Sequence, residues 1–158
     1  MGIDRRRFLG VFALAPLAAS LAACGEKGDW PAGMQPIQWD RDTCVRCNMV
    51  ISDRRFAAQM RGGEKNATFK FDDIGCLVFW MRDKAGQFPW MGDAATRLWV
   101  AEYNRDAGAP VRWLDPRAAH YLPGRVSPMG YNMAAAPQLM PGSIDFAAMR
   151  QGILALGR

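Results

Sequence analysis

From residue 44 onward, apolar positions recur with two different periods. Val45, Val50 and Ile51 within residues 44–52, and the cluster at 56–60, flank the turn formers Asp53-Arg54-Arg55, a pattern that predicts two short strands of a hairpin. Gly62-Gly63 breaks the second strand, and residues 68–71 are extended again before Asp72, which reads as a helix N-cap. Ile74, Leu77, Val78 and Met81 then fall at i, i+3, i+4 and i+7, one face of a helix that Gly86 ends and that carries Cys76 in its first turns. Residues 97–103 have strand composition, so the chain from 44 to about 103 reads β-β-α-β. The last third echoes that plan. Met133-Ala134-Ala135-Ala136 answers Phe56-Ala57-Ala58-Gln59, and a second helix follows, capped by Ser143, with Phe146, Met149, Ile153 and Leu156 on its apolar face. The chain stops just after that helix, so the expectation is an α+β fold of two small β-β-α-β units, the second incomplete.

The first 24 residues follow a different pattern. Arg5, Arg6 and Arg7 precede an apolar run over 8–23, which is shorter than the roughly 20 residues a spanning helix needs and is interrupted by Pro16. Asp4-Arg5-Arg6-Arg7-Phe8-Leu9-Gly10 resembles a twin-arginine export signal, and Leu21-Ala22-Ala23-Cys24 resembles a bacterial lipobox. The expectation is a signal peptide over 1–23 and acylation of Cys24 as the new N-terminus. Residues 25–38, with three Gly and two Pro, read as a flexible tether. The expected boundaries are therefore a lipidated N-terminus and tether over 24–40 and a folded domain over 41–158. The expected location is the bacterial periplasm, on a lipid anchor, with the outer membrane favoured over the inner.

Composition narrows the function. With 158 residues, 50% of them hydrophobic and 22% charged, the chain can bury a core and is neither a disordered polymer nor a coiled coil. Its formal charge of +5 shrinks once Asp4 and Arg5 to Arg7 leave with the signal, and the remaining cations are scattered, which argues against nucleic acid as a partner. The single histidine excludes any site built from several imidazoles.

Three cysteines remain after Cys24: Cys44, Cys47 and Cys76. Cys44-Val45-Arg46-Cys47-Asn48-Met49 packs two thiols and a thioether into six residues, and soft sulfur donors of this kind suit Cu(I) best. Met129 and Met133, in a segment between turn breakers, are further candidates. Zinc would need four ligands, which Cys44, Cys47, Cys76 and His120 can formally supply, giving a zinc-stabilised structural lipoprotein. A disulfide between Cys44 and Cys47, or a thiol-disulfide oxidoreductase acting through that pair, are the other readings. Haem attachment is excluded because Asn48, and not His, follows Cys47. The chain offers no arrangement of base, nucleophile and orienting group, so a binding protein and not an enzyme is expected.

Taken in order, the lipidated Cys24, the Cys44-to-Met49 motif, Phe56-Ala57-Ala58-Gln59, Phe71-Asp72-Asp73-Ile74-Gly75-Cys76 and Ser127-Pro128-Met129-Gly130 resemble the NosL family of nitrous-oxide reductase accessory lipoproteins. The resemblance runs from Cys24 to about Ala136. It implies a monomeric Cu(I) chaperone built from two β-β-α-β units like those of organomercurial lyase, supplying copper to nitrous-oxide reductase apoprotein and its membrane loading machinery. Carried over residue by residue, it implies Cys44, Cys47, Met49 and Met129 as copper ligands, with Cys76, Met133 and His120 as further candidates. Family members more often have Gly where this chain has Asn48.

Overall fold

The computed structural model describes residues 29–104 and 106–157. The signal, Cys24 and the start of the tether lie outside the described residues. Among the described residues, six strands and two α-helices follow one another as β1 (Ala58–Gly62), β2 (Ala67–Phe71), α1 (Ile74–Asp83), β3 (Arg97–Ala101), β4 (Trp113–Leu114), β5 (His120–Pro123), β6 (Met133–Ala136) and α2 (Phe146–Ala155), with a 3-10 turn at Pro89–Gly92. The fold is mixed α and β with antiparallel sheets.

The main sheet has the order β2-β1-β3-β4, and β5 pairs with β6 in a second, two-stranded sheet. Register decides what each face of the main sheet carries. Met60 pairs with Phe69 and Leu98, and Ala58 with Phe71 and Val100, so these side chains share one face. Phe69 and Phe71 meet Trp80 of α1, which places the helix over that face. The face of α1 predicted from Ile74, Leu77 and Val78 is buried, and α2 adds Met149 and Ile153 to the same core. A parallel bridge from Glu102 to Ala135 joins the second sheet to the end of β3.

Several expectations need correction. Residues 44–52 are not a strand: only Thr43 and Val50 pair, and the reversal lies at Cys47-Asn48, where Asn48 has φ 60°. Asp53 still makes a turn, because its carboxylate accepts from its neighbour Arg55 at both backbone and guanidinium, but that turn leads into β1 without closing a hairpin. The N-cap of α1 is Asp73 and not Asp72, and the helix stops at Asp83, before Gly86. The N-cap of α2 is Asp145, whose carboxylate accepts from Ala148, while the Ser143 hydroxyl is engaged with Met140.

The largest correction concerns the tether. Met34, Ile37 and Trp39 are buried in the core although residues 30–39 form no regular element. The backbone of Gln35 exchanges two hydrogen bonds with the side-chain amide of Gln59, at 2.8 and 2.7 Å, so the segment is pinned to β1. The folded domain therefore includes residues 30–39, ahead of the expected boundary at residue 41. Gly and Pro content suggested a linker because it marks loops, and loops that pack on a sheet share that composition. Among the described residues, no helix is long and apolar enough to cross a membrane.

Candidate metal centre

The Cys44-to-Met49 motif forms a closed loop. The Cys44 amide donates to the Met49 carbonyl at 2.8 Å and the Asn48 amide to the Cys44 carbonyl at 2.9 Å, so the two ends of the motif are tied together. Asn48 supplies the left-handed residue that this reversal needs. Asn and Gly are the residues that enter that conformation most readily. Asn48→Gly is expected to change stability by less than about 0.5 kcal/mol, whereas Asn48→Val should cost about 1–2 kcal/mol, both read by chemical denaturation.

The loop packs against the start of α1, where Cys76 is the third helical residue. There Cys44, Cys47 and Cys76 bring their sulfurs within 4.8 Å of one another. Cys44 and Cys76 are fully buried, Cys47 is half-buried, and all three are free thiols. No His, Asp or Glu among the described residues joins the group. His120 is half-buried at the start of β5, opposite Ala136, and stands outside it.

The three thiols are not equivalent. The Cys76 S–H donates to Cys44, and against the opposing effect of burial the amides of Cys47, Asp72 and Arg46 add to it, so Cys44 comes down from an ordinary 9.0 to about 5. Cys76, as the donor and in a buried setting, is pushed far up. Cys47 is raised mainly by burial, and the charge on Cys44 adds to that. The reduced site is thus a buried thiolate flanked by two neutral thiols. Beside it Asp72 is buried with Oδ1 lacking a hydrogen-bond donor, and burial, then the Cys44 charge, pushes its carboxyl up to about 6.

The candidate thioethers occupy different settings. Met49 is 56% exposed on the rim of the loop. Met129 is partly buried, and its loop is fixed to the helix that carries Cys76 through one carboxylate. Asp73 accepts from Gly75 N at 2.9 Å and from Ser127 Oγ at 2.6 Å, and also from the Met129 amide. Tyr131 closes the other side: its hydroxyl accepts from Arg46 Nη1 at 2.9 Å, and its ring lies where a Cβ on Gly75 would sit. Met133 begins β6, paired with Pro123. Asp73, Ser127, Tyr131 and Arg46 had no role assigned from sequence. The Asp-Asp pair ahead of Cys76 carried the signal, but a capping residue cannot be told from its neighbour by type alone.

No protein-family model matches the chain, and no curated protein matches it in sequence. Among solved structures, the crystal structure of the copper chaperone NosL from Shewanella denitrificans matches with a TM-score of 0.54 and 14% identity. The match covers 75% of this chain and 85% of that one. The chain has a NosL-like fold. At that identity the likeness speaks for architecture, and the chemistry rests on the residues themselves. Within this NosL-like fold stands a three-cysteine group able to hold a metal ion.

Proposed function

We propose that the protein is a periplasmic Cu(I) chaperone, anchored through an acylated Cys24, that delivers copper for maturation of nitrous-oxide reductase. The observation that carries this reading is the meeting of three thiols within 4.8 Å in a NosL-like fold. Copper is cargo here, and the protein is not an enzyme. Three thiols joined by no His, Asp or Glu among the described residues suit Cu(I), which accepts low coordination and thioether donors, better than Zn(II), which prefers four ligands. Cys44 and Cys47 are the principal ligands, Cys76 is the third thiol, and the thioethers of Met49 and Met129 are the candidates for any further position. Met133 and His120 have weaker claims, since the one is held in a strand pair and the other lies outside the thiol group.

The thiol-disulfide reading fits the geometry less well. A catalytic CxxC needs its activated thiolate accessible to substrate, whereas here the activated Cys44 is fully buried and the accessible Cys47 is the one raised. The same burial suits delivery. Among the described residues the site opens on the side of Cys47 and Met49, so a recipient's ligands add there before Cys44 and Cys76 release. The pairing of the first β-β-α-β stretch with β5, β6 and α2 as an incomplete second unit belongs to the same proposal.

Transfer is the test. The protein loaded anaerobically with Cu(I) should lose its metal to nitrous-oxide reductase apoprotein when the two are mixed and separated. Retention of copper by this protein, with apoprotein that loads equally well from free Cu(I), would remove the delivery role.

A further inference from the structure

The face of the main sheet opposite α1 carries Gln59, Arg61, Lys70, Arg97, Trp99 and Trp113, as the strand register requires. Residues 30–39 lie across it and hold no charged side chain. Their end residues Trp30 and Trp39 form a three-indole cluster with Trp113, with ring centroids 5.6–6.4 Å apart. The side chains that reach this segment are the Gln59 amide, the Asp42 carboxylate, which accepts from the Gln38 amide at 2.8 Å, and four cations. Arg61 donates to the Gly33 carbonyl at 2.7 Å and Lys70 to the Pro36 carbonyl at 2.6 Å. Arg54 lies 5.3 Å over the Trp39 ring, and the Arg97 guanidinium packs against Gly33. Asp42, at the far end, pairs with Lys70.

Because the described fold already includes Trp30, five residues separate it from Cys24. Even fully extended, they reach no more than about 20 Å. A domain of this size is about 35 Å across, so a chain anchored at Cys24 has too short a leash to turn its helical side to the bilayer. We infer that the sheet face bearing residues 30–39 is a docking surface for an anionic phospholipid bilayer. This inference rests on the anchoring at Cys24 proposed above. The partly exposed Trp30 and Trp113 suit the headgroup layer, and the arginines placed around an uncharged strip suit lipid phosphates. Cys76 belongs to α1 on the other face of the sheet.

Brominated lipid gives the test, because bromine quenches tryptophan emission only at close range. The full acylated protein is reconstituted into vesicles of phosphatidylcholine with brominated phosphatidylglycerol. Mass analysis of the Cys24 peptide reads the anchor independently. The parent should be quenched, and quenching should fall by about half or more in the Arg54→Gln/Arg97→Gln variant, or in raised salt, with Cu(I) binding unchanged. An acylated parent that is not quenched, or a variant quenched to the same degree, overturns the docking face. If Cys24 proves unmodified, the anchor falls. The same vesicles then decide the face alone, because quenching of the unanchored full chain upholds it and absence of quenching rejects it.

Discussion

Cys44→Ser is expected to abolish tight Cu(I) binding, with a loss larger than the roughly 10–100-fold that removal of an outer partner of a metal site causes. The reason lies in the asymmetry of the three thiols. Cys44 alone is prepared as a thiolate, because the Cys76 S–H and three backbone amides point at its sulfur. The reduced apoprotein should therefore show one thiolate by ultraviolet absorbance at neutral pH, and the signal should vanish as the pH falls through about 5. The sign for stability follows. A thiol whose folded value lies below its unfolded value contributes stability that is present above pH 9.0 and is lost as the pH falls toward about 5. Cys44→Ser removes both the absorbance and that dependence. Cys76→Ala, which deletes the S–H donor, should shift the absorbance step to higher pH. Survival of the step near pH 5 in Cys44→Ser would move the activated thiolate to another residue.

The second large effect belongs to Gly75→Ala. A Cβ there overlaps the ring of Tyr131, which is 5% exposed and held by Arg46 and by Phe79 at 5.6 Å between ring centroids. The ring cannot swing into solvent without giving up both contacts, so the loop over residues 127–131 must lift from α1. Overpacking of this kind costs about 1–3 kcal/mol, and Tm should fall accordingly. Met129, a ligand in the proposed set, moves with that loop, so Cu(I) affinity should fall as well. Met149→Ala separates the two consequences. Met149 is fully buried in α2, and its truncation should cost about 2–5 kcal/mol while the folded fraction binds copper as the parent does. Gly75→Ala with parental Cu(I) affinity would reduce Met129 to a packing residue.

Sequence disclosed the chemistry better than the geometry. Two cysteines and a methionine in six residues announce a soft metal site whatever backbone they adopt, because donor softness is a property of the side chains. The backbone of that motif has the composition of a strand but forms a loop, since Val50 and Ile51 weigh toward β structure while the left-handed turn at Asn48 leaves little compositional trace. The helices were legible from their 3.6-residue period, but their caps moved by one or two residues, as at Asp73 and Asp145. The recruitment of Cys76 is a tertiary event. It depends on Asp73 starting the helix where the Cys44 loop closes, and no local pattern encodes that meeting. Residues 30–39 failed for a related reason: an irregular segment is buried by what it lies against, here Gln59 and the tryptophans of the sheet, and not by its own periodicity.

The central claim is a sulfur-bound Cu(I) at the thiol group, and X-ray absorption at the copper edge on the anaerobically loaded protein tests it most directly. The account predicts about one Cu(I) per chain in an all-sulfur shell of low coordination, lost in the Cys44→Ser/Cys47→Ser double variant. A shell containing nitrogen or oxygen donors, or an unchanged spectrum in the double variant, would contradict it.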